Sequence, residues 1–192
     1  RALLDLGTGD GAAVLRAARS DAHLLAIGVD ADPSRSALAS RRAARPPRKG
    51  GLPNAFFLAA DACSLPDGLG RTLDEVRISL PWGSLLRATL SADVGLAEPI
   101  RQSLRPAGTV RLLLSLGDRD RPSVAEGQLT HAAAVTVAAR WSERGLHCLE
   151  LRPATLKDVT QSGSSWAKRL AIPARRDAWL LVLGTRSVPT GV

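Results

Sequence analysis

The stretch LLDLGTGDGAA, residues 3–13, decides the fold class. Its first four residues are apolar except for one acid, which is typical of a buried strand. Gly7 and Gly9 then permit a tight turn and let a ligand come close to the backbone. The spacing Gly7-x-Gly9-x-x-Ala12 fits the pattern of strand–turn–helix units that bind dinucleotides. The stretch therefore predicts a βα unit that holds a nucleotide-like cofactor, with a plain turn as the simpler alternative.

Strand-like and helix-like segments alternate along the rest of the chain. Apolar runs predict strands at residues 1–7, 24–30, 55–61, 75–80, 108–116, 147–153 and 178–186. Helical spacing is found at residues 11–20, 33–45, 94–104 and 131–145. This alternation predicts an α/β fold with a mostly parallel seven-stranded sheet and helices on both faces. A short linker rather than a full helix joins the last two strands, so we expect one antiparallel edge strand.

The composition indicates a globular protein with a basic surface. Its 192 residues suit a single domain over residues 1–192, and no apolar run approaches the roughly 20 residues that span a membrane. The net charge of +8 favours a polyanionic partner, although a GC-rich genome also enriches arginine. The isolated Cys63 and Cys148 predict neither a zinc site nor a disulfide. Because the chain lacks Met and enters a strand at once, we expect a preceding segment to be missing.

The acids around the glycine turn favour one class of cofactor. Asp30 ends the second strand about 20 residues after the turn, where a carboxylate can bind ribose hydroxyls. Asp5 and Asp10 flank the turn and would repel a pyrophosphate. S-adenosylmethionine carries a sulfonium and an ammonium instead, so the acids favour it over a nicotinamide cofactor. Asp61 ends the third strand, where the adenine of such a cofactor would lie, although it also fits a solvated loop acid.

Two basic groups indicate contact with phosphate. Residues 33–60 contain no Asp or Glu and hold Arg35, Arg41, Arg42, Arg45, Arg48 and Lys49. The second group is Lys168, Arg169, Arg175 and Arg176. A basic run is often only a solvated face, but two such groups on flexible connections favour binding to a nucleic-acid backbone.

Two of the four tryptophans stand outside the predicted core. Trp82 follows Pro81 at the end of the fourth strand, where ligands collect in α/β sheets, and Trp166 lies in the polar connector between the last strands. An enzyme that acts on a paired base must flip it out and hold it between flat side chains. Both tryptophans are therefore candidates for stacking on a target base, with surface packing as the alternative. Trp141 and Trp179 fit core positions.

Four motifs together resemble a known family. DLGTGDG (5–11), KGGLPN (49–54), LPWGSLL (80–86) and SSWAKRL (164–170) are similar to the aminoglycoside-resistance 16S rRNA methyltransferases of the kanamycin–apramycin type. The resemblance implies a Rossmann-like class I S-adenosylmethionine-dependent methyltransferase that methylates N1 of adenine 1408 in the 30S subunit. It also implies a cytoplasmic monomer. The β-hairpin that precedes the first strand in this family is not part of this sequence.

The resemblance also implies residue roles. The cofactor would be bound by Asp5, Gly7, Gly9, Asp30, Ala62, Cys63, Ser79, Leu80, Pro81, Trp82, Gly83, Ser84, Ser164, Ser165 and Trp166. The RNA would be contacted by Arg45, Arg48, Lys49, Lys168, Arg169, Arg175 and Arg176. Trp82 and Trp166 would stack on the flipped base. The family carries Glu where this chain has Cys63, and Asp61 is the candidate replacement.

The expected chemistry needs no general base, because adenine N1 already bears an in-plane lone pair. None of the three histidines (His23, His131, His147) lies in the motif cluster. Catalysis would come mainly from placing N1 in line with the methyl group inside a closed pocket. Asp10 and the Leu80 carbonyl are candidates for stabilising the cationic product ring. The alternatives are methylation of another RNA or a small molecule, a nicotinamide-dependent oxidoreductase, and a non-catalytic RNA-binding module.

Overall fold

The computed structural model describes residues 1–65, 69–116, 129–163 and 177–185. Its strands are β1 (Ala2–Leu6), β2 (Leu25–Asp30), β3 (Ala55–Ala59), β4 (Leu73–Ser79), β5 (Leu104–Leu114), β6 (His147–Pro153) and β7 (Trp179–Gly184). Its helices are α1 (Ala12–Ser20), α2 (Pro33–Ala43), α3 (Gly83–Ser91), α4 (Val94–Ser103), α5 (His131–Glu143) and α6 (Leu156–Ser162), with a 3₁₀ turn at Pro47–Lys49. None of these described helices is long and apolar enough to cross a membrane.

The seven strands form one sheet in the order β3-β2-β1-β4-β5-β7-β6. All neighbouring pairs from β3 to β5 are parallel, whereas β7 runs antiparallel to both β5 and β6. The predicted mostly parallel seven-stranded sheet is confirmed. The strand order reverses between β1 and β4, which creates the crevice where ligands bind in open α/β sheets.

The prediction of an antiparallel strand at the edge is wrong in its position. β7 is the antiparallel strand, but it lies inside the sheet, and the edge is β6. The burial of the two strands gives the physical reason. β7 is a continuous apolar run whose leucines are buried, whereas most of β6 is exposed or half-buried. A strand paired on both sides must be apolar throughout, so the more polar segment takes the edge.

The two faces of the sheet pack differently. One face packs Leu4, Val76 and Leu112 of the central strands against α3, α4 and α5, and this cluster includes the fully buried Trp141. The Trp141 indole N–H donates to the Thr89 carbonyl at 2.8 Å. The other face is covered by α1 and α2 at one end and by α6 at the other. The predicted core position of Trp141 is confirmed, while Trp179 is half-buried against the same cluster.

Two helices were missed by the sequence analysis. α3 begins directly after Trp82, whose side chain makes no capping hydrogen bond, so the sequence carries no start signal there. α6 lies in the segment between β6 and β7 that was predicted to be a short linker. It begins with a capping box, in which Thr155 and Asp158 each bond the other's backbone N–H.

Candidate active site

A cavity of about 570 Å³ lies at the carboxyl ends of β1, β2 and β4. Five segments line it: the glycine turn, the end of β2, the end of β3, the turn between β4 and α3, and the end of α6. The lining residues are Asp5, Gly7, Thr8, Gly9, Asp10, Ala13, Val29, Asp30, Ala31, Asp32, Arg35, Ala60, Asp61, Ala62, Cys63, Ser79, Leu80, Pro81, Trp82, Gly83, Ser84, Leu85 and Ser162. The cavity therefore brings together every predicted cofactor-binding residue that lies within the described ranges.

The glycine turn has a backbone conformation that larger residues rarely adopt. Gly7 and Gly9 have φ angles of +71° and +56°, a region that side chains rarely adopt. A Cβ on Gly7 would also lie 2.6 Å from Leu85 Cδ2. The Gly7 N–H donates to the Val29 carbonyl at 2.8 Å, which joins the turn to β2. The turn thus holds its backbone against the cavity.

Asp30 is fixed at the rim of the cavity by two backbone donors. Its Oδ2 accepts the Gly9 N–H at 2.8 Å, and its Oδ1 accepts the Asp32 N–H at 3.0 Å. A carboxylate held in this way has lone pairs left for further donors. Its position at the end of β2 suits the vicinal hydroxyls of a ribose.

Asp5 is the most deeply buried acid of the site, with 4% of its surface exposed. Burial raises the pKa of its carboxyl from 3.8 to about 6, because desolvation disfavours the charged form. Thr8 and Arg77 lower this pKa, and Asp30 raises it further. Arg77 lies directly opposite Asp5 on β4. Asp5 is thus a carboxyl that a nearby cation would hold in its ionised form.

The turn after β4 places an indole at the mouth of the cavity. Leu80 adopts a left-handed φ of +52°, and its N–H donates to the Leu113 carbonyl at 2.7 Å, which fixes the turn. Trp82 follows in an extended conformation with 55% of its surface exposed. The Arg35 guanidinium carbon lies 5.0 Å from the centroid of the Trp82 ring. The indole is therefore at the surface, beside the glycine turn, and partly covered by a cation.

The end of β3 supplies a short turn beside the cavity. Asp61 Oδ1 accepts the Cys63 N–H at 2.8 Å, so one oxygen of this candidate replacement acid already has a partner. Burial, with Asp61 and Asp93 nearby, raises the pKa of the Cys63 thiol. Cys63 is thus a neutral, half-buried group at the cavity edge.

The connector between β6 and β7 begins at the same edge of the sheet. Ser162 lines the cavity, and a Cβ on Gly163 would lie 2.9 Å from the Ala13 Cα, so α6 ends in close contact with α1. Arg16 Nη1 donates to the Thr160 carbonyl at 3.3 Å across this contact. The predicted site residues that follow, Ser164, Ser165 and Trp166, lie outside the described residues.

The basic loop, here defined as Arg45, Arg48 and Lys49, does not line the cavity. All three residues are exposed between the end of α2 and β3. The 11 residues of α2, about 16 Å at 1.5 Å per helical residue, separate the loop from the start of the helix, where Arg35 lines the cavity. The loop is well defined, since the Leu52 N–H donates to the Ala43 carbonyl at 2.9 Å. The second predicted group, Lys168, Arg169, Arg175 and Arg176, lies outside the described residues.

The structure adds residues that the sequence analysis did not assign to the site. Arg35 was grouped with the phosphate-binding run, although its guanidinium lies over Trp82. Asp32 is the N-cap of α2, and its side chain accepts the Ser34 N–H. The Asp-Pro pair that marks the start of α2 is a signal that could have placed both residues at the cavity edge. Leu85 and Ser162 come from the two missed helices.

The sequence is similar to a defined group of enzymes. Residues 1–185 match the NpmA family of 16S rRNA (adenine(1408)-N(1))-methyltransferases. A 16S rRNA (adenine(1408)-N(1))-methyltransferase of Streptoalloteichus tenebrarius is 35% identical over 190 residues, covering 96% of this chain and 87% of the relative. One of Escherichia coli is 27% identical over 185 residues, covering 92% and 83%.

Solved structures agree with the sequence relatives. A tryptophan-to-alanine variant of the 16S rRNA (adenine(1408)-N(1))-methyltransferase from Catenulisporales acidiphilia, crystallised with cosubstrate SAM, has a TM-score of 0.84 at 27% identity and covers 100% of this chain and 88% of that chain. The 16S rRNA methyltransferase KamB has a TM-score of 0.82 at 32% identity, covering 96% and 87%. With its glycine turn, switch-point cavity and exposed indole, this chain belongs to the 16S rRNA (adenine(1408)-N(1))-methyltransferase family.

Proposed function

We propose that this protein transfers the methyl group of S-adenosylmethionine to N1 of adenine 1408 in the 16S rRNA of the 30S subunit. The observation that carries the proposal is the cavity that the glycine turn shares with Trp82. A methyl donor on the turn and a base on the indole would lie side by side there. Methylation would add bulk and charge to the adenine edge that aminoglycosides bind, and so confer resistance.

The charge of the cavity fits this cosubstrate. Its described lining contains five aspartates, Asp5, Asp10, Asp30, Asp32 and Asp61, and one arginine, Arg35. A pyrophosphate would be repelled by such a set, whereas a sulfonium and an ammonium would be attracted. This argues against the nicotinamide-dependent alternative. Within the bound complex, S-adenosylmethionine supplies an electrophilic methyl group.

The protein's side chains would bind the cosubstrate, orient the target adenine and enclose both. In this proposal Asp30 accepts hydrogen bonds from ribose hydroxyls, and Asp5 stabilises positive charge on the cosubstrate. Trp82 offers a flat face for the flipped adenine, and such stacking is worth about 1–3 kcal/mol per base. The lone pair of N1 needs no deprotonation, so rate enhancement comes from alignment and exclusion of water. The methylated ring is cationic, and Asp10 at the cavity edge can stabilise that charge.

The RNA contacts extend beyond the cavity. The basic loop follows the carboxyl end of α2, whereas Arg35 near the start of α2 lines the cavity, so the loop would contact the ribosomal RNA backbone at a second place. Lys168, Arg169, Arg175 and Arg176 are proposed as further backbone contacts, and Ser164, Ser165 and Trp166 as closing the pocket from the β6–β7 connector. We also propose that the protein acts as a monomer in the cytoplasm, where 30S subunits are found.

The proposal is tested with the purified chain, S-adenosylmethionine carrying a labelled methyl group, and isolated 30S subunits. We expect label in 16S rRNA and a primer-extension stop next to adenine 1408. Subunits in which that adenine is replaced by guanine are the matched control and should stay unlabelled. Equal labelling of both kinds of subunit would show that another nucleotide is the target. Label in neither, with intact cosubstrate binding, would favour a different RNA or a small molecule.

A further inference from the structure

Arg35 and Trp82 are in contact, and Arg35 has no role in the methyl transfer proposed above. Arg35 comes from the first turn of α2, and Trp82 from the turn before α3, so the contact joins two walls of the cavity. The guanidinium carbon lies 5.0 Å from the indole centroid. A planar cation over an indole face is a favourable arrangement, because the ring's π electrons attract the charge.

The guanidinium also lies beside a carboxylate on its own helix. Arg35 Nε lies 3.9 Å from Asp32 Oδ2, an ion pair within one helical turn. The Asp32 carboxylate accepts the Ser34 hydroxyl at 2.6 Å and the Ser34 N–H at 3.0 Å, and these bonds lower its pKa. Asp32 therefore stays ionised at neutral pH and steadies Arg35 from the helix side. The same guanidinium group therefore lies beside the Asp32 carboxylate through Nε and over the indole through its central carbon.

The contact with Arg35 leaves much of the Trp82 side chain exposed. The residue keeps 55% of its surface exposed although Arg35 covers one face of the ring. More than half of the residue's surface therefore remains for a second planar group. An indole on an exposed turn would otherwise sample several rotamers, and ordering such a side chain when a ligand binds costs free energy.

We propose that Arg35 is a positioning residue for the methyl transfer: it fixes the Trp82 indole from one side so that the other side receives the target adenine. The inference rests on the proposed function and adds a residue to it. Arg35 then acts through Trp82 and not through a phosphate of the RNA. Removing Arg35 should matter only while the indole is present.

A double-mutant cycle tests this. Arg35→Ala and Trp82→Ala are made singly and together, and single-turnover methylation is measured with enzyme in excess over 30S subunits but below saturation. Arg41→Ala is the matched control, because Arg41 is exposed on the same helix and its removal takes away the same charge. Arg35→Ala should slow capture and methylation of the adenine about fivefold more than Arg41→Ala does. Arg35→Lys, which keeps the charge and removes the planar group, should fall between the two.

In the Trp82→Ala background, Arg35→Ala should have no effect beyond that of Arg41→Ala. Equal slowing in both backgrounds would overturn the inference, because it would assign Arg35 to the RNA backbone. Faster methylation by Arg35→Ala would also overturn it, because Arg35 would then be occupying the place of the base. Failure of the unsubstituted chain to methylate 30S subunits at all would instead reject the proposed function, so the two failures are distinguishable.

Discussion

Arg152 and Asp158 form a two-pronged ion pair, with Nη1 2.6 Å from Oδ2 and Nη2 2.9 Å from Oδ1, that ties the edge strand β6 to α6. Asp158 is buried, with 7% of its surface exposed, and its carboxylate also accepts the Thr155 N–H at 2.7 Å. These bonds hold its pKa well below the usual range. Because α6 leads into the connector at the cavity, the pair sets where that connector begins.

Asp158→Asn should therefore lower the free energy of unfolding by about 2 kcal/mol, since it removes the charged partner of both Arg152 Nη atoms and leaves only Glu150 at Nε. The matched control is Glu98→Gln, which breaks a surface pair with Arg101 and should cost no more than about 0.5 kcal/mol. Both are measured by urea unfolding at pH 7. Equal reductions in the two variants would contradict the anchoring role of Asp158. In the unsubstituted protein this contribution is present above the ordinary pKa of 3.8 and is lost as the pH falls below it.

The raised pKa of Asp5 predicts a pH dependence of cosubstrate binding. Below pH 6 the carboxyl is mostly protonated and no longer attracts a cation, so affinity for S-adenosylmethionine should weaken as the pH is lowered from about 7.5 to about 5.5. Calorimetry should show the change centred near pH 6, and Asp5→Asn should flatten it. Binding that is equally strong at both pH values would argue against contact between Asp5 and the cosubstrate.

The raised pKa of Asp5 also predicts how the free energy of unfolding depends on pH. A carboxyl whose pKa is higher in the folded protein contributes stability that is fully present below 3.8 and is lost as the pH rises through about 6. Unfolding measured without cosubstrate should therefore show this contribution declining from about pH 4 to about pH 7. Asp5→Asn should remove that part of the profile, and an unchanged profile would show that Asp5 titrates normally.

The fold of the basic loop depends on Gly51. A Cβ at this position would lie 1.6 Å from the Arg45 carbonyl oxygen, a backbone atom that cannot move without opening the loop. Gly51→Ala should cost about 2 kcal/mol of stability and weaken binding to 30S subunits. Gly70→Ala is the control, because a Cβ on Gly70 would meet nothing within 4 Å. Equal melting temperatures for the two variants would contradict this role of Gly51.

The charges of the basic loop should affect the salt dependence of RNA binding. Replacing Arg45, Arg48 and Lys49 by Gln should make the plot of log affinity against log salt less steep by about 0.7–0.9 for each phosphate that is no longer neutralised. Affinity for S-adenosylmethionine should not change. Arg105→Gln is the control. Arg105 lies on β5, four strands away from β3, and is paired with Asp74, so its replacement should leave the slope unchanged. An unchanged slope in the triple variant would mean that the loop is only a solvated face.

The sequence was sufficient to predict those features of the fold and the site that follow from the local chemistry of single residues. Gly7, Gly9 and Asp30 predict the turn and the end of β2, because positive φ angles and a carboxylate at a strand end follow from residue types. It was insufficient for features that depend on packing between segments far apart in the chain. The place of β7 between β5 and β6 depends on which strand is paired on both sides, and α3 begins after Trp82 without a side-chain cap. Arg35 illustrates the same limit: its charge is visible in the sequence, but its position over Trp82 depends on how α2 crosses the sheet.

The most direct measurement of the central claim is the single-turnover rate of 30S methylation by Trp82→Ala compared with Trp82→Phe. If the indole holds the adenine next to the methyl donor, the alanine variant should be slower by at least about fivefold, the lower end of the range for loss of one stacking partner, with cosubstrate affinity nearly unchanged. Phenylalanine should restore most of the rate, because it keeps a flat face. A Trp82→Ala variant that methylates adenine 1408 as fast as the unsubstituted protein would contradict the account.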